Sequence, residues 1–213
     1  MTYELVAANT LNTERIQELR AIYEGGYAAH ERAPWSRIDA RLQDNDAALA
    51  LVRDDSPVGF ALLRGTPDTN RAFVRYLAID PAQRGHDLGA RFWQLLSAFA
   101  RDEGYRQLVW VATSVDDQGP GRDEGETRPL RIGFLERAGG ALVPVGAYTD
   151  DHAAPTDSHA VPMGLVATVL GEPAGPIDSR ALRRLALDVY AYRYELAVEA
   201  AGVRTSIDWV PDD

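Results

Sequence analysis

The sequence contains no cysteine, which excludes disulfides, thiolate zinc sites and a cysteine nucleophile. Histidine is scarce, with four scattered copies. The best gathering of metal-ligand types is His152 with Asp150, Asp151, Asp157 and His159. It lies in a stretch with no helical or hairpin frame to fix it, so it reads as a solvated acidic loop and no metal site is expected. Basic residues are the minority sign, 22 Lys and Arg against 32 Asp and Glu, for a formal net charge of −10. Nucleic-acid backbones and anionic membranes both require a basic face, so neither is expected as a partner. No apolar run approaches the roughly 18 residues that span a bilayer, and no signal-like segment opens the sequence. A cytoplasmic protein is expected. Ser114 and Ser158 lack the strand–turn–helix context of a nucleophile elbow, and there is no internal repeat.

What is present suits a globular enzyme-sized chain. The 213 residues allow one domain with a full core and an appendage. Thr2–Ala8 alternates like a first strand. Thr13 is placed to cap a helix carrying Ile16, Leu19, Ile22 and Tyr23, which Gly25-Gly26 weakens or ends. Tyr27–Leu42 is broken by Pro34 and reads as a second helix or a flap. Ala47–Val52 and Val58–Leu63 form a hairpin about Asp55, Ser56 and Pro57. Leu108–Thr113 is a fifth strand, Pro129 to about Ala138 a helix, and Ala141–Val145 a sixth strand. His159–Leu170 is a last strand that Pro162 and Gly164 assign to an edge or a bulge. The linker Gly171–Pro176 separates residues 1–170 from an appended region, 171–213. There Ser179 caps an amphipathic helix with Leu182, Leu185, Val189, Tyr192 and Leu196 on one stripe. That helix packs on the core or serves as the arm of a homodimer.

The centre of the chain is VRYLAIDPAQRGHDLGARFWQLLSAFA from Val74. Phe73–Ile79 reads as a strand, Asp80-Pro81 ends it, and Gln83–Gly89 is a turn. Leu88, Phe92, Leu95, Leu96 and Phe99 then share a helical face. A turn between a strand end and a helix start collects backbone N–H groups without partners, and with the helix dipole these make an anion site. The following strand implies a parallel pair across a right-handed crossover.

The element order β-α-α-β-β-β-α-β-α-β-β and the segment YLAIDPAQRGHDLGARFWQLL resemble the GNAT N-acetyltransferase superfamily, whose cofactor turn follows an Arg/Gln-x-x-Gly-x-Gly/Ala pattern. RIGFLERAGGALVPV from Arg131 resembles that family's later helix and strand. The implied fold is α/β (α+β): a mixed, centrally splayed sheet flanked by helices, here with a C-terminal helical extension. The resemblance implies an acyltransferase moving an acetyl group from acetyl-CoA to the amine of a small molecule by direct attack. It implies that backbone N–H groups across Arg84, Gly85, His86, Asp87, Leu88, Gly89 and Ala90 hold the pyrophosphate, and that the strand end at Ala78 and Ile79 pairs with the pantetheine arm. The enzyme then has to take a proton from the ammonium, polarise the carbonyl and protonate the leaving thiolate.

Three features depart from the pattern. The inner glycine is Asp87. Two unit charges about 5 Å apart at an effective dielectric of ~20 repel by ~3 kcal/mol, less where water intrudes. Asp87 either opposes a pyrophosphate, with Arg84 or His86 offsetting it, or simply N-caps the helix that begins at Leu88. Leu135 stands where relatives often carry a tyrosine acid; water or Tyr148 could substitute, against a plain packing role for Tyr148. No base is obvious on the strands. Glu31 is the carboxylate of a run, His30 to Trp35, that would roof an acceptor site. Glu31, Arg32, Trp35, Tyr76 and Ser114 are the candidate substrate contacts, against a solvated Arg/Glu-rich helix end. The rival to transfer chemistry is a GNAT-fold protein that binds a metabolite or partner, or runs a different reaction in the same cleft, without CoA-dependent transfer.

Overall fold

The tight hairpin at Asp54–Asp55 shows how locally the chain specifies its sheet. In the computed structural model, which describes residues 2–27, 29, 32–41, 47–66, 70–84, 87–113, 139–150, 161–171, 184–185 and 187–188, both aspartates have positive φ, 49° and 64°. That matches a type I′ turn, whose twist suits two antiparallel strands and whose left-handed residues are commonly Asn, Asp or Gly. The strands it joins are β2, Ala47–Arg53, and β3, Ser56–Thr66. The turn is therefore one residue earlier than expected, and Ser56 and Pro57 belong to β3. Pro57 is accommodated because the register shifts beside its partner Val52, and an irregularity relieves the ladder of a missing N–H.

Tertiary contacts divide the chain into two compact units, Met1–Tyr105 and Arg106–Asp213. In the first unit, β1 (Tyr3–Ala7) pairs antiparallel with β2. β3 pairs antiparallel with β4, Arg71–Ile79. Helix α1, Thr13–Gly26, is capped not by Thr13 but by Asn12, whose side chain accepts the Arg15 N–H at 2.9 Å. The asparagine oxygen reaches the third N–H of the helix, the usual reach of a cap. Helix α2 is Trp35–Arg41, with Pro34 just before it. Helix α3 is Leu88–Asp102, stopped by Gly104 at φ 88°.

Strand alternation gives the sheet of this unit two apolar faces. On one, Ala48, Ala50, Phe60, Leu62, Tyr76 and Ala78 pack with Leu19, Ile22 and Tyr23 of α1 and with Trp35 and Ile38 of α2. The opposite face carries Leu49, Leu51, Ala61 and Leu63, also buried. There Gly59 leaves room for Phe92 of α3, since a Cβ on Gly59 would lie 2.8 Å from the ring. The buried stripe of α3 is Leu88, Phe92, Trp93, Leu96 and Ala100. Leu95 and Phe99, expected on that face, are only half-buried. The stripe follows a steady i, i+4 step and so drifts one position from the face expected.

In the second unit, β7 (Val161–Val169) lies between β5 (Gln107–Thr113) and β6 (Gly140–Asp150), antiparallel to both. Of the edge or bulge expected from Pro162 and Gly164, the edge is not found within this unit, while the ladder with β6 is irregular between Leu165 and Met163, beside Gly164. Pro162 lies opposite Thr149 of β6, and the described ladder with β5 runs from Met163. Of the C-terminal helix only a fragment is described, with Leu185 buried and Arg184 paired to Asp188 at 3.1 Å. Ser179, residues 172–176 of the linker, the helix expected from Pro129 and residues 151–160 lie outside the described residues. Among the described residues, no helix is long and apolar enough to cross a membrane.

Candidate active site

Strand β4 carries the site. Tyr76 lies opposite Leu62 and Val74 opposite Leu63, so Arg75 is an extra residue and β4 bulges there. Beyond the bulge, the Asp80 N–H donates to the Val58 carbonyl at 3.0 Å, which makes that pair a hydrogen-bonded one. Antiparallel pairs alternate. Ala78 opposite Phe60 therefore turns its N–H and C=O toward β3, while Leu77 and Ile79 turn theirs away. The outward groups at the strand end thus belong to Leu77 and Ile79. Of the pair expected to meet a pantetheine arm, Ala78 and Ile79, only Ile79 presents its backbone outward.

The strand leads directly into the turn. Asp80 accepts the Ala82 N–H at 3.0 Å and caps a 3-10 turn at Pro81–Gln83. Arg84 follows in extended backbone and is exposed. Gly85 and His86 lie outside the described residues. Asp87 has φ 56°, ψ 16°, the left-handed region, which glycine enters freely and aspartate tolerates better than most residues. This explains in backbone terms why a glycine pattern belongs at this position. Asp87 occupies the N-cap position, and its carbonyl accepts the Arg91 N–H at 3.0 Å, but its side chain makes no capping bond. The carboxylate is exposed, so the simple capping reading does not hold. The first-turn N–H groups of Leu88, Gly89 and Ala90 have no intrahelical acceptor. Leu88 is buried and anchors the turn, Gly89 is half-buried, and Ala90 is exposed.

Facing β4 is a cluster of aromatic rings. Tyr23 meets Tyr76 edge-on at 5.0 Å and Phe60 at 5.4 Å, with Trp35 at 5.8 Å. The Tyr23 hydroxyl donates to the Ala33 carbonyl at 2.9 Å, and the Tyr76 hydroxyl accepts the Ala33 N–H at 3.1 Å. Two phenols thus hold the N–H and the C=O of one residue in the segment entering α2. Burial first, and then the neighbouring phenol of Tyr76, push the Tyr23 hydroxyl above the usual tyrosine range, while Arg32 opposes the shift. Tyr23 therefore stays protonated and acts as a fixed donor. The guanidinium of Arg75 lies 5.8 Å from the Tyr76 ring centre.

The arrangement brings some of the sequence candidates together. Arg32, Trp35 and Tyr76 all belong to the α1/α2 side of β4. Trp35 and Tyr76 are core residues, 9% and 2% exposed, and Tyr76 spends its hydroxyl on Ala33. Arg32 reaches Glu24 at 3.5 Å, and its buried Nε has no hydrogen-bond partner among the described residues. Glu31, Ser114 and Leu135 lie outside the described residues. Tyr148 sits in β6 opposite Met163, with its side chain outside the description. Sequence reasoning missed Tyr27. Its hydroxyl donates to the Leu77 carbonyl at 2.9 Å and accepts the Leu77 N–H at 2.7 Å. The available signal was Gly25-Gly26 immediately before it. Gly26 lets the end of α1 approach β4 closely, since a Cβ there would lie 2.7 Å from that of Ala78.

Strand β4, a left-handed turn residue and the open first turn of α3 thus follow one another along the chain. The sequence profile of the Acetyltransferase (GNAT) family matches residues 13–119. The chain belongs to that family. Solved structures agree on the fold. A GNAT-family protein from Bacteroides thetaiotaomicron superposes with a TM-score of 0.65 at 17% identity, covering 91% of this chain and 99% of that one. An aminoglycoside 6′-N-acetyltransferase complexed with coenzyme A gives 0.63 at 15% identity, covering 82% and 100%. The ribosomal-protein-S18-alanine N-acetyltransferase of Escherichia coli gives 0.58 at 13%, covering 82% and 100%. No curated protein matches the sequence significantly.

Proposed function

We propose that this protein transfers an acyl group, acetyl in the first instance, from acyl-CoA to the amine of a small molecule in the cytoplasm. One observation carries the choice of donor. The outward N–H and C=O of Leu77 and Ile79 lie only a few residues before Arg84 and the open first turn of α3. A strand edge followed by an anion cradle matches a ligand that carries amides on one arm and a pyrophosphate beyond them. Leu77 and Ile79 would hold the arm; Arg84 and the N–H groups of Leu88, Gly89 and Ala90 would hold the phosphates. The donor supplies an activated thioester. The amine nitrogen attacks its carbonyl carbon, the C–S bond breaks, and the sulfur leaves with a proton. Glu31 is the proposed base for the ammonium and Tyr148 the proposed acid for the sulfur. The net charge of −10 favours a cationic acceptor, in keeping with the amine chemistry named for the aminoglycoside enzyme of like fold. The transferase domain is proposed as residues 1–170, with 171–213 as an appended element and a candidate dimer arm.

Asp87 supports a second reading. Its exposed carboxylate stands at the mouth of the proposed phosphate cradle, as it would in a GNAT-fold protein that binds another metabolite or a partner and has lost transfer. Calorimetric titration with acetyl-CoA separates the two. Binding, followed by thiol release in the presence of amines, is the expected result. No heat with acetyl-CoA or any longer acyl-CoA would remove the transferase reading and leave the second.

A further inference from the structure

Tyr27 closes helix α1 and spends a single oxygen on both outward groups of Leu77. That oxygen does there what an amide of an extended ligand does with two atoms: it offers an acceptor to the strand N–H and a donor to the strand C=O. Strand-edge recognition uses the same pair of bonds. The ring of Tyr27 has separate support, lying 5.2 Å from Tyr76 and 6.0 Å from Tyr23. Ring packing and hydroxyl placement are therefore distinct functions of this side chain, and Tyr27→Phe separates them.

We infer that Tyr27 is a placeholder for the donor. In the free protein its hydroxyl satisfies Leu77, and a donor amide pairs with Leu77 only as that hydroxyl withdraws. This rests on the acyl-CoA reading above and adds to it the residue that sets donor affinity.

The test compares wild type with Tyr27→Phe, using coenzyme A itself as the probe in calorimetric titration. Removing the competing hydroxyl is expected to tighten the Kd about tenfold, the weight of a typical net hydrogen bond or two. The Leu77 amide, followed with 15N-leucine, should exchange faster in the free variant than in free wild type. If wild type binds coenzyme A and the variant binds it equally or more weakly, the placeholder is refuted and the donor reading survives. If neither protein binds coenzyme A, the donor reading falls and the placeholder with it. A measurement on wild type alone covers a variant that fails to fold: saturation with coenzyme A should shift the Tyr27 ring resonances, and unchanged resonances at saturation overturn the displacement.

Discussion

Two adjacent glycines at the end of α1 should respond to the same substitution with opposite signs. Gly25→Ala and Gly26→Ala both add one methyl group to a helical backbone. At Gly25 the new Cβ would lie 3.5 Å from Cγ of Pro81, an ordinary contact on an exposed residue. Helix propensity then decides, and the variant should gain about 0.5–1 kcal/mol. At Gly26 the new Cβ would lie 2.7 Å from Cβ of Ala78, with Cα of Ala78 3.8 Å away. No rotamer of Ala78 can relieve that overlap, because its Cβ is fixed to the backbone of β4. Overpacking of this kind costs about 1–3 kcal/mol. Helix propensity offsets a little of it at the last residue of the helix, leaving a net loss of about 1–2 kcal/mol. Urea unfolding should be followed by tryptophan fluorescence and far-ultraviolet circular dichroism together, so that coincident transitions justify comparing midpoints. Gly26→Ala should also weaken the bonds between Tyr27 and Leu77, visible as faster exchange of the Leu77 amide. If the two variants shift stability in the same direction, the close approach of α1 to β4 at Ala78 is wrong.

Two further outcomes are expected. Tyr23 has its ionisation raised from 10.0 by burial and by Tyr76, so the folded state holds that proton more tightly than the unfolded chain. Its contribution is fully present below pH ~10 and is lost as pH rises beyond it. Urea midpoints should fall more steeply in wild type than in Tyr23→Phe above that pH, and parallel profiles would refute the burial account; the variant should also lose about 1–2 kcal/mol at neutral pH by abandoning the Ala33 carbonyl. Asp87→Gly should be stabilising by about 1 kcal/mol, since glycine enters the left-handed region without strain and no capping bond is lost. The same change should tighten coenzyme A binding by no more than about tenfold, an exposed carboxylate being well screened, and a loss of affinity would show that Asp87 contributes to the ligand site.

How far the sequence could be read depended on the range of the interactions involved. Strand and helix identity followed from apolar period, which is local, so β1 to β5 and α1 to α3 fell close to expectation. The misplaced details were set by neighbours in space. Pro162 reads as an edge marker because a missing N–H is a local fact, yet the placing of β7 between β5 and β6 is not. The drift of the α3 stripe toward Trp93 and Ala100 likewise depends on the surface below it. At the site, a turn ahead of α3 was legible because a motif spans consecutive residues, although Leu88 and Gly89, expected in it, belong to the helix. The part played by Tyr27 was not, because it is 50 residues from Leu77 in the chain and depends on a helix coming close enough through Gly26. Trp35 and Tyr76 look from composition like recognition aromatics, whereas their burial reflects Tyr23 and Phe60, which the sequence does not place beside them. The position Asp87 occupies was visible as an anomaly, but its left-handed backbone, the physical reason for a glycine there, was not.

The end of β4 is gripped on both faces at nearly one level. Gly26 seats α1 against Ala78, and Gly59, opposite Ile79, seats Phe92 of α3. A strand edge held in this way is already ordered before any ligand arrives. Binding to it loses little conformational freedom from the strand, and the ordering cost falls on the ligand arm. The outward groups of Leu77 and Ile79 thus work as a fixed ruler along which a flexible arm is straightened, so affinity should respond far more to stiffening the ligand than to stiffening the protein.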